Sequence, residues 1–378
     1  DGHEFVEAAF SRGASAALIH RDHTARLSSF GPLLAVDDTL QALVTLGQAA
    51  RVRLSSSARV AAVTGSVGKT GTKEALRHIL SLQGRTHASV ASYNNHFGVP
   101  LTLARMPHDT MFGIFEIGMN HAGEIEPLTT QVKPHAALIT TVEAVHIENF
   151  PDVEAIADEK SAIFLGLEDG GTAIINRDNP HYERMWMHAS RSKAGRILSF
   201  GESPLADFRL VELTGDAEGS DILAEIHGVP LTYRVGSPGK HLGLNSLGAL
   251  ATCLALGADL EAAARAYAEI KPPQGRGARK TLPLNNGQIT IIDESYNANP
   301  ASMRAALALL KQSPVKGSGR RIAVMGDMLE LGQEAQALHA ALADDLEAND
   351  IDLVYLCGPL MKALHDRLPT TMQGGWFD

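Results

Sequence analysis

Residues 62–76 read AVTGSVGKTGTKEAL, and this stretch decides the fold. The apolar run Val60–Thr64 has the make-up of a buried strand and helical spacing follows over 71–83, so Gly65-Ser66-Val67-Gly68-Lys69-Thr70 sits in a strand-to-helix turn. Glycines there let several backbone N–H groups and the helix N-terminus converge on phosphate oxygens. Lys69 adds positive charge, and the Thr70 hydroxyl can reach a magnesium ion. A Gly-rich turn with an exposed lysine is the plainer reading, and the strand and helix on either side argue against it. Two residues separate Gly65 from Gly68, where the common phosphate loop has four, which disfavours a generic P-loop GTPase.

Strands alternate with helices around this turn. Apolar runs at Phe112–Glu116, Ala136–Thr140 and Thr172–Asn176, with helical segments at 71–83, 153–167 and 245–257, imply parallel strands joined by right-handed crossovers: a doubly wound α/β sheet. Polar alternation over 207–235, with a turn at His227-Gly228, adds antiparallel strands on one side. Upstream, 1–55 reads as a short α/β piece with helical spacing from Glu4 to Arg12, strands at Ala16–His20 and Leu33–Val36, and a boundary at Ser55-Ser56-Ser57. Downstream, Pro272-Pro273 and Gln274-Gly275-Arg276-Gly277 read as a linker. Beyond it, strands at 288–293, 321–326 and 353–357 alternate with helices at 300–312 and 334–348, as in a small Rossmann-like domain. Three domains are expected, 1–55, 56–272 and 273–378, the first and last read as partial.

A length of 378 residues suits two or three domains, and 44% hydrophobic with 20% charged residues is globular composition. No apolar run approaches the roughly 20 residues that span a bilayer, so no membrane insertion is expected. A net charge of -10 disfavours nucleic-acid binding, which relies on Lys and Arg displacing counterions. Cys253 and Cys357 lie far apart in apolar surroundings, so both read as core residues in a reducing compartment. With no secretory signal visible from Asp1 onward, a cytoplasmic monomer is expected.

The short loop resembles that of Mur ligases and folylpolyglutamate synthases, and further segments are similar to the Mur ligase family over nearly the whole chain. They are DGHEF (1–5), SYNNHFGVPLTL (92–103), FEIGMNHAGEI (115–125), VHIENF (145–150), DEKSAIF (158–164), GKHLGLNSLGALA (239–251), GRG (275–277), IIDESYNANPASMRAAL (291–307) and AVMGDMLELG (323–332). ESYNANPASM followed by GDMLELG looks like the branch that adds D-alanyl-D-alanine. The resemblance implies a three-domain ligase with a central ATPase sheet that joins D-alanyl-D-alanine to UDP-N-acetylmuramoyl-tripeptide in peptidoglycan synthesis. ATP and two magnesium ions would serve an acyl-phosphate route.

Site residues follow from both readings. Gly65, Ser66, Val67, Gly68, Lys69 and Thr70 would hold the phosphates, with Thr70 on magnesium. Glu116 ends a strand, where a doubly wound sheet presents ligand residues, and a carboxylate suits magnesium, although capping the next helix is the plainer role. A loop histidine such as His146 is ordinarily just solvated, and Lys160 on its helix ordinarily an exposed, paired lysine. The resemblance makes His146 a ligand of a second magnesium and Lys160 a carbamylated metal ligand, which requires a neutral amine. It also puts His241 and Asn245 at the adenine; Leu242 stands where many members carry Asn, so the contact falls chiefly to Asn245. Arg276, a cation in a Gly-rich linker, can close onto the phosphates. Asp293 is placed to bond a ribose hydroxyl or to hold Arg276. Tyr296, Asn297 and Asn299 precede a Pro300-started helix and read as substrate contacts. Asn94 and Asn95 are assigned to the nucleotide-peptide substrate, and Asp1 and His3 to its uridine side. Two rivals stand beside this reading: another Mur-type or folylpolyglutamate-type amino-acid ligase, and a non-ligating P-loop ATP-binding module. Glu116, His146 and Lys160 together speak against the second, which needs no second metal site.

Overall fold

The computed structural model describes residues 1–378 except 217, 273, 285–286 and 316. Pro273 of the expected linker therefore lies outside the described residues. The N-terminal portion holds α1 (Val6–Ser11), β1 (Ala17–His20), α2 (Thr24–Leu27), β2 (Leu33–Val36) and α3 (Thr39–Val52). The helix expected over Glu4–Arg12 is instead a 3₁₀ turn, Gly2–Phe5, capped by Asp1, running into α1. β1 and β2 pair in parallel. α3 starts at Asp38, whose carboxylate accepts from the N–H groups of Leu40 and Gln41.

The central unit comprises β3 (Arg59–Thr64), α4 (Lys69–Ser81), β4 (Thr86–Ala88), α5 (Gly98–Ala104), β5 (Phe112–Glu116), α6 (Ile125–Val132), β6 (Ala136–Ile139), α7 (Val153–Ser161), β7 (Gly171–Asn176), α8 (Tyr182–Ser190), β8 (Ala194–Gly201), β9 (Phe208–Gly215), β10 (Ser220–Ile226), β11 (Val229–Val235), α9 (Lys240–Ala255) and α10 (Leu260–Ala266). Its strands form a nine-stranded sheet in the order β11-β10-β9-β8-β7-β6-β3-β5-β4. β4 to β9 run parallel, and β10 and β11 add the antiparallel hairpin expected from the polar alternation. Helix 153–167 ends as α-helix at Ser161 and continues as a 3₁₀ turn, and the helix expected from 245 starts earlier, at Lys240.

Period-two alternation explains the layers. Ala61, Val63, Ala136 and Leu138 face α4 and α9 through Leu76, Ile79, Leu247 and Leu250. Val60, Ala62, Ala137 and Ile139 face the opposite helices through Val99, Leu103, Ile125 and Ile156. Burial on both faces makes these strands continuously apolar. Because β3 sits between β5 and β6, the strand order reverses there, and a crevice opens beyond the carboxyl ends of Thr64, Glu116 and Thr140.

The last portion contains β12 (Ala278–Leu284), β13 (Gly287–Asp293), α11 (Pro300–Gln312), β14 (Ile322–Gly326), α12 (Ala335–Ala348), β15 (Leu353–Cys357), α13 (Lys362–Arg367) and β16 (Gln373–Phe377). One expectation is corrected here: the strand at 288–293 is not in the final parallel sheet, which is β14-β15-β16, but pairs antiparallel with β12. A second correction concerns the cysteines. Cys253 is buried and its thiol pushed up to about 12 by burial, whereas Cys357, the last residue of β15, is exposed. Among the described residues no helix is long and apolar enough to cross a membrane.

Candidate active site

β3 delivers the chain into the turn at Gly65, and α4 starts at Lys69 with Gly68 as its N-cap at φ 90°. That left-handed φ favours glycine at 68, and a Cβ there would also lie 2.6 Å from Asn245 Nδ2 and push this side chain of α9 off the loop. Neighbouring loops fix the turn: Ser66 N–H donates to Thr141 O (2.8 Å) and Ser66 Oγ to Glu143 O (3.0 Å). Lys69 curls back, its Nζ donating to Gly65 O at 2.5 Å. Burial pushes its ammonium below the ordinary lysine value; Glu116 opposes that shift and Arg276 adds to it. These charges therefore act on one another across a short span.

Glu116, the last residue of β5, is 1% exposed. Its Oε1 accepts from Asn94 Nδ2 at 2.8 Å, while Oε2 is buried with no hydrogen-bond partner among the described residues. A buried, half-satisfied carboxylate is costly unless a cation or donor completes it. With Thr70 beside it on the cleft wall, this oxygen fits a hard divalent cation.

A cleft of about 420 Å³ gathers most of the expected residues. Ser66, Val67, Gly68, Lys69, Thr70, Asn94, Glu116, His146, His241, Asn245, Arg276, Tyr296, Asn297 and Asn299 all line it. The Arg276 guanidinium lies 4.2 Å from the Tyr296 ring centroid, which holds the cation over the cleft. His146 has a left-handed backbone, φ 60°, and its Nδ1 bonds Glu330 of the last portion. Burial lowers its imidazole below the ordinary value; Glu330 counters this, and Lys69 and Lys160 reinforce it.

Other expected residues are placed differently. Lys160, on α7, is 2% exposed and is not among the cleft-lining residues. Burial, and then the charge of Lys69, push its amine well below the lysine range despite Glu159. The plain reading of an exposed, paired lysine is thus not what the fold shows. Asn95 does not line the cleft: its Oδ1 accepts from the N–H groups of Phe97 and Gly98, at the start of α5. Asn299 lines it but uses its side chain as the N-cap of α11, in a capping box with Ser302. Asp293 lies outside the lining. Its carboxylate accepts from Gly275 N–H (3.2 Å) and from Ser295, so it braces the turn before Arg276 rather than the guanidinium itself. Asp1 and His3 are not among the cleft-lining residues; His3 bonds Asp1 and accepts from His20 N–H at 2.9 Å.

Sequence reasoning missed several lining residues, among them Ser92, Asn120, Lys271 and Glu294. Burial pushes the Glu294 carboxyl up to about 7, against the pull of Arg276. A signal was available, since successive residues at a strand end point to opposite sides, and Glu294 follows Asp293.

The Mur ligase middle domain model matches residues 63–253, and the model described as Mur ligase, glutamate ligase domain matches 279–375. The chain belongs to the Mur ligase family. Curated Mur ligases similar to it include the UDP-N-acetylmuramoyl-tripeptide--D-alanyl-D-alanine ligases of Rickettsia prowazekii and Escherichia coli. The first is 33% identical over all of this chain and 82% of its own; the second is 34% identical over 96% and 77%. Among solved Mur ligases, MurF from Acinetobacter baumannii superposes with a TM-score of 0.86 at 28% identity, covering 97% of this chain and 83% of its own. MurF from Thermotoga maritima in complex with ADP shares the fold, with a TM-score of 0.78 at 23% identity over 100% and 88%. The chain therefore has the three-domain Mur ligase architecture, with the cleft at the carboxyl end of its central sheet.

Proposed function

We propose that this chain is an ATP-dependent ligase that joins D-alanyl-D-alanine to UDP-N-acetylmuramoyl-tripeptide, a step in peptidoglycan precursor synthesis. The observation that carries the reading is the single cleft lined by Lys69, His146, Arg276 and a Glu116 whose Oε2 lacks a partner among the described residues. Relatives spanning almost the whole chain, which bear that function in their names, support it. We place the reaction in the cytoplasm and read 1–55 as the nucleotide-substrate unit, 56–272 as the ATP unit and 273–378 as the closing unit.

A carboxylate is a poor electrophile, so amide formation in water needs prior activation. The tripeptide's terminal carboxylate attacks the γ-phosphorus of ATP; ADP leaves and an acyl phosphate forms. Lys69 and Arg276 neutralise charge on the transferring group, and the N–H groups of the 65–70 loop orient the phosphates. Asn245 and His241 border the adenine. The D-alanyl-D-alanine amine then attacks the acyl carbon, the tetrahedral intermediate expels phosphate, and the nitrogen gives up a proton to solvent or a nearby base. Tyr296 and Asn297 border the acceptor, and closure of the last domain excludes water that would hydrolyse the acyl phosphate.

Thr70, Glu116 and His146 would hold magnesium, at two positions, and the ion when bound would offset phosphate charge. Lys160 joins them as a carbamate: its neutral amine attacks carbon dioxide and loses a proton, converting a buried amine into an oxygen ligand. The low affinity of buried Lys160 for its proton supports this.

The decisive assay is phosphate release from ATP with UDP-N-acetylmuramoyl-tripeptide, with and without D-alanyl-D-alanine. Release dependent on both is expected. Stimulation by a single amino acid in place of the dipeptide would overturn the assignment in favour of a sister ligase. Scrambling of labelled phosphate oxygens in ATP, dependent on the tripeptide carboxylate, tests the acyl phosphate.

A further inference from the structure

The last domain sends one carboxylate, Glu330, to His146 of the central unit. Met328 (fully buried) and Leu331 (3% exposed) anchor the 328–331 segment in the core of the last domain, while Leu329 between them is exposed. Buried His339 fixes its start by accepting from Met328 N–H at 2.9 Å. Bracketed in this way, Glu330 adopts φ 61°, a left-handed conformation uncommon for a residue with a side chain. Its partner His146 adopts φ 60°. Strain at both ends of one contact is a feature that surrounding structure must enforce, and such features gather at functional sites. The backbones also meet closely here, since a Cβ on Gly332 would lie 3.2 Å from Glu148 Cβ.

The chemistry of the contact is one-directional. An ionised carboxylate can only accept, so His146 Nδ1 must donate to Glu330. In the neutral ring this leaves Nε2 as a lone pair, and His146 lines the cleft. A carboxylate on the far nitrogen of a ligating histidine fixes its tautomer and orientation.

We propose that Glu330 is a positioning residue of the reaction centre: it reaches from the last domain to hold His146 in the Nδ1–H form with Nε2 free for a divalent cation, so that this ligand is oriented only when the domain is closed. The inference rests on the ligase reading for its catalytic meaning, though not for its test.

The test uses the full chain with Glu330→Gln and Glu330→Gly; the glycine variant tolerates the backbone conformation and so separates the carboxylate from strain. Manganese affinity in the presence of a non-hydrolysable ATP analogue is measured by calorimetry, beside binding of the same analogue without metal. The expected result is manganese affinity about ten-fold or more weaker in Glu330→Gly. Glu330→Gln, which can still accept from Nδ1, should lie between, with metal-free analogue binding unchanged in both. Ring nitrogen-15 shifts of His146 in metal-free protein should report the Nδ1–H form in the parent and a shift toward Nε2–H in Glu330→Gly. Unchanged manganese affinity and an unchanged tautomer would overturn the proposal. A parent protein inactive with D-alanyl-D-alanine would sink the ligase reading instead, and leave the metal and tautomer comparisons to decide on Glu330.

Discussion

Asn94 donates to one oxygen of Glu116 at 2.8 Å and leaves the other buried and unpartnered among the described residues. The amide thereby fixes one oxygen of a carboxylate that lines the cleft together with the phosphate loop. Removing the charge in Glu116→Gln should lower kcat on the order of 100-fold, the usual cost of losing electrostatic stabilisation of a transferring group. Asn94→Ala, which frees the carboxylate to rotate, should raise the magnesium concentration for half-maximal activity about ten-fold. Magnesium titrations of ATP turnover separate the two, and equal magnesium dependence in all three proteins would count against a metal at Glu116.

Lys73 is fully buried on α4, and its Nζ donates to Ser89 O and Ala91 O, both at 2.8 Å, and to Glu74. It ties the helix behind the phosphate loop to the segment that carries Ser92 and Asn94. In Lys73→Met the buried Ser89 carbonyl loses its lysine donor at about 1–3 kcal/mol, and the part-buried Ala91 carbonyl loses its own at a smaller cost. Urea unfolding should show a loss of about 3 kcal/mol, accompanied by a higher KM for ATP because Ser92 and Asn94 lose their tether. An unchanged urea midpoint would show that the tether is dispensable.

What the sequence disclosed tracks how local each cause is. The strand, turn and helix around Gly65–Thr70 were legible because their glycines, lysine and flanking apolar runs act within a few residues. The partner of Gln288–Asp293 was not, since antiparallel pairing with Ala278–Leu284 depends on a segment that carries Arg279 and Lys280 and lacks a clean alternation. Asn95 and Asn299 show a different limit. Asparagine serves equally as a cap or as a ligand, and only coordinates reveal that these side chains bond backbone N–H groups. The contact between His146 and Glu330 spans 184 positions, and no local pattern announces it.

Lys160 should make activity depend on dissolved carbon dioxide. Burial, and then the charge of Lys69, push its amine well below the usual lysine range, which favours the uncharged, nucleophilic form that carbon dioxide requires. Carbon-dioxide-free buffer should reduce turnover several-fold, and added bicarbonate should restore it. Lys160→Arg, always protonated, should be inactive in both buffers. Turnover of the parent that ignores bicarbonate would argue against the carbamate.

Stability should fall on mild acidification, and His135 provides a part that can be isolated. Its Nδ1 accepts from Val60 N–H at 3.0 Å, so the folded protein needs the ring neutral. Burial, then Arg51 and Arg59, depress it from 6.5 to about 4. Between those values the unfolded chain binds a proton that the folded chain refuses. The contribution is therefore complete above pH 6.5 and is lost as pH falls toward 4. At about 1.4 kcal/mol per unit, discounted for the ring's partial exposure, the loss is on the order of 2 kcal/mol. His135→Asn keeps an acceptor near Val60 N–H but cannot titrate. Other depressed histidines, such as His87, contribute to the parent's slope, so the informative quantity is the difference between parent and variant. Urea midpoints at pH 7.5 and 5 should converge for the variant relative to the parent, and identical pH slopes would show that His135 stays neutral for some other reason.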